Sequence, residues 1–270
     1  MLKEDAEWFY DAEFWENFAP IMFDGAHWVE VPAVADAITR LSRFSLYRVE
    51  SSDTDLSGTR AEVSTGPVIL DLCCGFGRIS AELARMGFSV TGVDITESYL
   101  RTAREEAAYE NLNIEYVNSD ARKFVRPEYF DAAVNLYISF GYFPNQKDDF
   151  MLLRNAFESI KKGGCFIIET LGKEIAVRDF VEAEWFERAG CTVLTKYEAL
   201  DSWTFLKNRW ILLKDGKRFE RTFTQRLYSA SELRDMLLEA GFGKVEIYGD
   251  WDESPYDRKA AKLIAVARKV

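Results

Sequence analysis

The chain has 270 residues, of which 45 are acidic and 34 basic, and its formal net charge is −11. Because nucleic acids bind proteins through clustered lysine and arginine, this balance argues against nucleic acid as the main partner. The single histidine, His27, excludes metalloproteases that need two histidines on one helix, and it leaves a Ser-His-Asp hydrolase only one possible base.

The length suits one α/β domain with a lid. The longest apolar run falls far short of the roughly 20 residues that span a bilayer, and the acidic N-terminus lacks the order of a signal peptide. We therefore expect a cytoplasmic protein without a membrane partner. The cysteines, Cys73, Cys74, Cys165 and Cys191, have no metal-ligand spacing, so no metal site is expected.

Residues 1–65 are predicted to form a helical N-terminal cap. Large apolar residues recur at helical spacing between positions 8 and 18, and Pro20 is expected to end that helix. A second helix is expected to begin near Pro32. The polar stretch 51–67 then predicts a connector with little to bury.

Residues 66–270 alternate between strand-like and helix-like patterns, which is typical of a doubly wound α/β fold. The first strand is a near-continuous apolar run, as expected when helices cover both faces of a parallel sheet. Helices between successive strands imply right-handed crossovers and a mostly parallel sheet. The seven predicted strands occupy residues 68–74, 89–95, 114–120, 130–136, 165–171, 244–251 and 262–270.

This alternation stops after the fifth strand. Two β-rich runs around Asp215-Gly216 predict a hairpin. Ser229 and Glu232 form a capping box at which the helical pattern returns. We therefore expect residues 172–228 to form a β-rich lid inserted after strand five.

The strongest functional signal is DLCCGFGRIS, residues 71–80, where a strand runs into a glycine turn and then a helix. Glycines are needed where the backbone turns tightly and a ligand approaches closely. Asp94 ends the second strand and Asp120 the third. Each feature alone is also typical of an ordinary turn or helix cap. Because all three lie at the carboxyl edge of the predicted sheet, together they indicate a nucleoside-sized ligand.

The pattern Asp71-x-x-x-Gly75-x-Gly77 resembles the first motif of class I, Rossmann-like, S-adenosylmethionine-dependent methyltransferases. VTGVDI, SDARKF and FDAAVNLYISFGYF are similar to the second, third and fourth motifs, and NAFESIKKGGCFIIE to the segment that follows. The resemblance covers about residues 68–171, LLEAGF at 237–242 and the last two strands. It implies S-adenosylmethionine as the cofactor and a seventh strand antiparallel to the others.

The resemblance also implies which residues contact this cofactor. The glycine turn would surround its methionine part, Asp94 would hold the ribose hydroxyls, and Asp120 would face the adenine amino group. The full set of expected cofactor contacts is Asp71, Cys73, Gly75, Gly77, Asp94, Ile95, Asp120, Ala121, Leu136 and Tyr137.

The acceptor is expected to be a small molecule methylated on nitrogen or oxygen. Methylases of base amines and of glutamine resemble one another in an Asn/Asp-Pro-Pro-Tyr-type turn after strand four. This chain has Asn135-Leu136-Tyr137-Ile138 there, without the two prolines, which argues against an amide or a base amine as the acceptor. Methyl transfer mainly requires alignment of donor and acceptor, so neither a metal nor a nucleophilic side chain is needed. The expected substrate contacts are Tyr10, Trp15, Phe140, Tyr142, Arg209 and Arg226, and the candidate general bases are Tyr137, Glu169 and His27.

Several alternatives stay open at this point. The aromatic residues also suit core or lid packing, and a charged residue on a hairpin is usually solvated. A nicotinamide-dependent oxidoreductase is disfavoured because Ser80 stands where the dinucleotide fingerprint has glycine or alanine. A protein-residue methyltransferase and a non-catalytic cofactor-binding protein are further alternatives, and both a monomer and a homodimer are compatible with the sequence.

Overall fold

The computed structural model describes residues 7–44 and 66–270. Its strands are β1 Val68–Leu72, β2 Ser89–Asp94, β3 Ile114–Asn118, β4 Phe130–Asn135, β5 Ile160–Thr170, β6 Ala183–Arg188, β7 Cys191–Leu200, β8 Phe205–Lys214, β9 Lys217–Arg226, β10 Lys244–Tyr248 and β11 Leu263–Arg268. Its helices are α1 Ala12–Met22, α2 Gly25–Val29, α3 Val31–Ser42, α4 Arg78–Arg85, α5 Glu97–Tyr109, α6 Gln146–Ser159, α7 Lys173–Arg178 and α8 Ala230–Glu239. None of these helices combines the length and apolar character that crossing a bilayer requires.

The main sheet has seven strands in the order β3-β2-β1-β4-β5-β11-β10. Strands β1 to β5 pair in parallel, and β11 runs antiparallel to both β5 and β10. The predicted doubly wound, mostly parallel sheet with an antiparallel last strand is therefore confirmed. The strand order reverses between β1 and β4, and a ligand site in such a sheet is expected at that point.

Helices cover both faces of this sheet. Because side chains alternate along a strand, adjacent residues of β1 enter different parts of the core. Ile69 packs in a cluster with Ile38 of α3 and Leu83 of α4, whereas Leu70 packs in a cluster with Leu153 of α6 and Leu237 of α8. This two-sided burial explains the near-continuous apolar sequence of the strand.

The N-terminal helices begin and end differently from the prediction. Asp11 caps α1 by accepting a hydrogen bond from the backbone of Phe14 at 3.1 Å. The predicted end at Pro20 is wrong, because the helix continues to Met22 with Pro20 inside its last turn. A proline there removes only one hydrogen bond near the helix end. The predicted connector at 51–67 falls almost wholly outside the described residues.

Helix α6 ends before the glycine pair Gly163-Gly164. The helix ends at Ser159 and β5 begins at once. Gly163, with φ +84°, and Gly164 instead belong to an irregular stretch of β5, where the pairing with β4 shifts register. A Cβ on Gly164 would lie 2.5 Å from the carbonyl oxygen of Asp131, so the glycine there permits close strand approach.

A second, antiparallel sheet of four strands, β6-β7-β8-β9, lies within residues 172–228 and is called the lid sheet below. The predicted hairpin is confirmed, since Asp215 and Gly216 connect β8 to β9 with φ values of +50° and +71°. A second two-residue turn at Ala189 and Gly190 joins β6 to β7 and had no counterpart in the prediction. The capping box of Ser229 and Glu232 is also confirmed. The division into cap, catalytic domain and lid stays a prediction.

Asp149 of α6 gives the fold a testable dependence on pH. It is fully buried and accepts a hydrogen bond from the hydroxyl of Tyr228 at 2.7 Å. Burial raises its pKa to about 7, against the opposing effects of Tyr228 and Arg226. Between about pH 4 and pH 7 the folded protein therefore holds a proton that the unfolded chain has released, so this group makes folding less favourable as the pH rises.

We expect the free energy of unfolding of Asp149→Asn, taken relative to that of the wild type, to be larger at pH 8 than at pH 5. The reason is that raising the pH destabilises the wild type through ionisation of Asp149, whereas asparagine cannot ionise. Urea denaturation at both pH values measures the free energies of unfolding. Asp235→Asn, at an exposed position of α8, serves as the control. A difference between Asp149→Asn and the wild type that does not change with pH contradicts the expectation.

Candidate functional site

A cavity of about 830 Å³ lies at the carboxyl edge of the main sheet. Its size falls within the range of about 300–1,000 Å³ that is usual for small-molecule sites. Its walls come from the loops after β1 to β4, from the N-terminal helices and from one face of the lid sheet. The predicted site residues that line it are Trp15, His27, Asp71, Cys73, Gly75, Asp94, Ile95, Asp120, Ala121, Leu136, Tyr137, Tyr142 and Glu169.

Asp94 connects the glycine turn to the end of β2. Its two carboxylate oxygens accept hydrogen bonds from the backbone of Gly75 and of Thr96, each at 2.8 Å. Burial raises the pKa of Asp94, and these N–H donors oppose that effect. A carboxylate has about four lone-pair positions, so the oxygens can accept further hydrogen bonds from a ligand.

Asp71 is buried at the end of β1 and accepts a hydrogen bond from the hydroxyl of Ser80 at 2.6 Å. Burial raises its pKa to about 7. This contact explains the serine at position 80, because the first turn of α4 supplies a hydrogen-bond donor to Asp71 of the neighbouring strand. A dinucleotide-binding fingerprint has a small residue at the same position, which serves close helix–strand packing.

Gly77 does not line the cavity, although it belongs to the same turn. Its φ is +71°, and a Cβ at this position would overlap the hydroxyl of Tyr116 on β3. The expected reason for this glycine was close approach of a ligand. The structure gives a different reason, because a protein side chain occupies the space.

Asp120 lines the cavity but is already engaged by two neighbours. Arg122 donates to it from its side chain at 2.6 Å and its backbone at 2.8 Å, and the hydroxyl of Tyr10 donates at 2.7 Å. Burial raises the pKa of Asp120, but these hydrogen bonds outweigh burial and hold it below its ordinary value. Tyr10 itself is not on the cavity wall. Arg122 also lies 4.5 Å from the ring centre of Phe143.

The turn after β4 has an unusual backbone that Glu169 stabilises. Tyr137 and Ile138 have φ values of +55° and +62°, a region that such side chains rarely adopt. The backbone N–H of Tyr137 donates to the carboxylate of Glu169 at 2.6 Å, and Lys262 lies 3.8 Å from the same carboxylate. Burial raises the pKa of Glu169 and that of the Tyr137 phenol.

His27 lies on the opposite wall, beside a carboxylate. Its Nδ1 is 2.6 Å from Asp24, and Arg188 of the lid sheet lies 3.1 Å from the other oxygen of that Asp. The His27 hydrogen bond is the main cause that lowers the pKa of Asp24. A carboxylate on one ring nitrogen orients the imidazole and leaves the other nitrogen free for a ligand.

Besides Tyr10, three further predicted substrate contacts lie away from the cavity wall. Phe140 is buried, with its ring 5.2 Å from that of Tyr228. Arg209 pairs with Glu220 at 2.6 Å on the exposed face of the lid sheet. Arg226 stacks 4.3 Å above the ring of Phe205.

Strand β6 of the lid sheet contributes the charged residues Glu184 and Arg188 to the cavity wall, and β7 to β9 contribute neutral polar residues that the sequence analysis did not single out. They are Thr195, Tyr197, Asn208 and Gln225, and Arg78 of α4 was missed in the same way. Alternation along β7 to β9 separates one face of the lid sheet from the other, but only the orientation of the lid sheet determines which face meets the cavity.

The N-terminal residues and the lid sheet meet above the cavity. Trp8 stacks on Phe223 with ring centres 4.3 Å apart, and Arg221 pairs with Asp11 at 2.9 Å. Aromatic stacking and this ion pair therefore join two segments that are about 210 residues apart in sequence.

Gly77 allows a direct test of the turn. We expect Gly77→Ala to destabilise the protein, because alanine would adopt a positive φ and also meet Tyr116. Gly87→Ala is a matched control, since Gly87 has φ +94° and no atom within 4 Å of the added Cβ. Thermal unfolding should show a larger loss for Gly77→Ala by roughly 1 kcal/mol or more. Equal losses would mean that Tyr116 imposes no constraint.

Comparison with known proteins shows a common fold and a partial match to a protein family. Residues 69–164 match the family model described as a methyltransferase domain. The putative methyltransferase YqeM of Bacillus subtilis is 24% identical over 207 residues, which cover 74% of this chain and 83% of YqeM. The structure of the CcbJ methyltransferase from Streptomyces caelestis has a TM-score of 0.72 at 19% identity, over 89% of this chain and 90% of CcbJ. The sugar N-methyltransferase KedS8 from Streptoalloteichus has a TM-score of 0.62 at 16% identity, over 89% of this chain and 87% of KedS8.

The matched segment begins in β1 and ends in β5, so it contains the glycine turn and the ends of β2, β3 and β4. These are the elements that form the sheet side of the cavity. The solved structures share the fold beyond that segment as well. Residues 69–164 therefore match a methyltransferase domain, and the chain shares the fold of these solved methyltransferases.

Proposed function

We propose that this protein transfers a methyl group from S-adenosylmethionine to a nitrogen or oxygen atom of a small molecule bound beneath the lid sheet. The observation that carries the proposal is one continuous cavity, which reaches from Asp94 and Asp120 to the inner face of the lid sheet. Donor and acceptor can therefore meet inside a single chamber. KedS8, a structural neighbour, is named as a sugar N-methyltransferase, which agrees with an acceptor of this size.

The sheet edge fits the cofactor in order and length. The ends of β3, β2, β1 and β4 follow one another across about 14 Å at the usual strand spacing. We propose that Ile95, Ala121 and Asp120 surround the adenine and that Asp94 accepts hydrogen bonds from the ribose hydroxyls. The methionyl part would then extend over Gly75 toward Tyr137. When bound, the cofactor supplies a methyl group that its sulfonium charge has already activated.

The lid sheet forms the acceptor part of the chamber. Thr195 and Trp210 line the cavity. Thr195 Oγ1 and Trp210 Nε1 are themselves buried and have no hydrogen-bond partner among the described residues. A buried polar atom without a partner costs about 1–3 kcal/mol, so an acceptor that reached either atom would recover that free energy. Apolar neighbours such as Phe223 and Leu206 exclude water from the same space.

We propose His27 as the residue that removes a proton when the acceptor must lose one. Its contact with Asp24 orients the imidazole toward the cavity, as expected for a general base. The carboxylate of Glu169 already accepts the Tyr137 N–H, and the Tyr137 phenol has a raised pKa because it is buried. A structural role suits these two residues better.

A protein-residue methyltransferase is the second candidate. It is disfavoured because Trp8 of the N-terminal segment and Phe223 of the lid sheet stack above the cavity, leaving little room for a polypeptide. The cytoplasmic location and the oligomeric state stay predictions.

Methyl transfer is tested by incubating the protein with S-adenosylmethionine labelled in its methyl group and with panels of small amines, alcohols and phenols. A matched panel of peptides serves as the comparison. We expect label in one or more small molecules and none in the peptides. Label in the peptides alone would contradict the proposal.

Asp94→Asn should weaken binding of S-adenosylhomocysteine at least tenfold, about 1.4 kcal/mol, because it removes charge-assisted hydrogen bonds to the ribose. Isothermal titration calorimetry measures the dissociation constant. Glu97→Gln, an exposed carboxylate three residues later that pairs with Arg104, is the control and should bind as the wild type does. Equal affinity of Asp94→Asn and the wild type would move the ribose site elsewhere.

His27→Gln should lower kcat at neutral pH by roughly 100-fold if the acceptor must be deprotonated, which is the usual size of a general-base contribution. Binding of S-adenosylhomocysteine should stay unchanged, which separates loss of the base from loss of the fold. An unchanged kcat would exclude His27 as the base.

A further inference from the structure

Arg78 is a buried cation on the wall of the cavity. It is the first residue of α4, directly after the glycine turn, and only 5% of it is exposed. One guanidinium nitrogen donates to the carbonyl oxygen of His27 at 2.7 Å. The guanidinium carbon lies 4.6 Å from the ring centre of Tyr137 and 4.9 Å from that of Phe23.

No carboxylate of the described residues lies within 4.0 Å of the Arg78 nitrogens, whereas two less buried arginines near the cavity each have such a partner. Arg122 pairs with Asp120, and Arg188 pairs with Asp24. A guanidinium has five N–H donors, and Arg78 uses one of them within the protein. Because an unpaired buried charge is costly and aromatic rings offset only part of the cost, this arrangement calls for an anionic group of a ligand.

The position of Arg78 indicates which ligand group this is. Tyr137, on which Arg78 packs, follows β4, and β4 lies beside β1 on the side away from β2 and β3. In the proposed function, which this step assumes, the adenosine occupies the ends of β2 and β3. The methionyl end of the cofactor then lies over β1 and β4, next to the free guanidinium.

We infer that Arg78 binds the carboxylate of the cofactor's methionyl group. A planar guanidinium can donate two parallel hydrogen bonds to a carboxylate, and such pairs are among the stronger hydrogen bonds in proteins. The aromatic rings of Tyr137 and Phe23 hold the guanidinium plane in place for this contact, so little side-chain freedom is lost on binding.

The test compares S-adenosylhomocysteine with its decarboxylated analogue, which keeps the adenosine, the sulfur and the amine. Isothermal titration calorimetry with the wild type should show at least tenfold tighter binding of S-adenosylhomocysteine. In Arg78→Met this preference should fall to about threefold or less, while the affinity for the decarboxylated analogue stays close to that of the wild type. Arg78→Lys should retain an intermediate preference, since an ammonium keeps the charge without the paired donors.

Arg85→Met is the matched control, because Arg85 lies on the same helix, is exposed and pairs with Glu82 and Glu110. It should keep the full preference. The inference is overturned if Arg78→Met keeps the wild-type preference for S-adenosylhomocysteine over the decarboxylated analogue. If Arg78→Met fails to fold, an undiminished preference in Arg78→Lys overturns it instead. If the wild type binds neither nucleoside, the proposed function itself fails.

A carboxylate on the acceptor is the competing source of the anion. If Arg78→Met keeps the wild-type preference for S-adenosylhomocysteine but raises KM selectively for carboxylate-bearing acceptors, the inference about the cofactor is wrong.

Discussion

The candidate site depends on one half-buried carboxylate, Asp94, that joins two loops. A parallel sheet brings the ends of β1 and β2 to the same edge, but it does not fix the loops that follow them. Asp94 does so by accepting the N–H groups of Gly75 and Thr96. No lysine or arginine of the described residues pairs with this carboxylate, so neutral N–H and hydroxyl donors stabilise its charge, and the carboxylate stays available to a ligand. The same atoms thus shape the turn and face the cavity.

The two parts of the cavity have different structural origins. Loops of the main sheet form the side proposed for the cofactor, and these loops belong to the segment that matches the methyltransferase family model. The other side comes from the N-terminal helices and the lid sheet, which meet through Trp8 with Phe223 and through Asp11 with Arg221. Changes in these two outer segments can therefore alter the acceptor while leaving the ends of β1 to β3 intact, which is how one fold serves many methyl acceptors.

The parts of the structure that follow from local rules were predictable from the sequence. Two-sided burial fixed the apolar strands of the main sheet, and Asp215-Gly216 and Ser229 with Glu232 specified a turn and a helix start. Contacts between distant residues were not predictable. The hydroxyl of Tyr10 reaches Asp120 across 110 residues of sequence, and Tyr116 explains Gly77 from another strand. Arg78 carried no sequence signal, because an arginine in the first turn of a helix is usually solvated, and only the cavity shows that it is not.

The composition of the lid sheet bears on how an acceptor could react. An amine must be unprotonated before its lone pair can attack a methyl group. On the cavity side, strands β7 to β9 present Thr195, Asn208 and Gln225, which are neutral, among aromatic and aliphatic side chains, whereas the edge strand β6 adds the charged Glu184 and Arg188. Burial in neutral surroundings disfavours an ammonium and lowers its pKa, whereas a nearby carboxylate holds the proton on the amine. An amine acceptor placed against β7 to β9, away from Glu184, is therefore favoured in its reactive form even before a general base acts, and a hydroxyl acceptor depends more on the proposed base, His27.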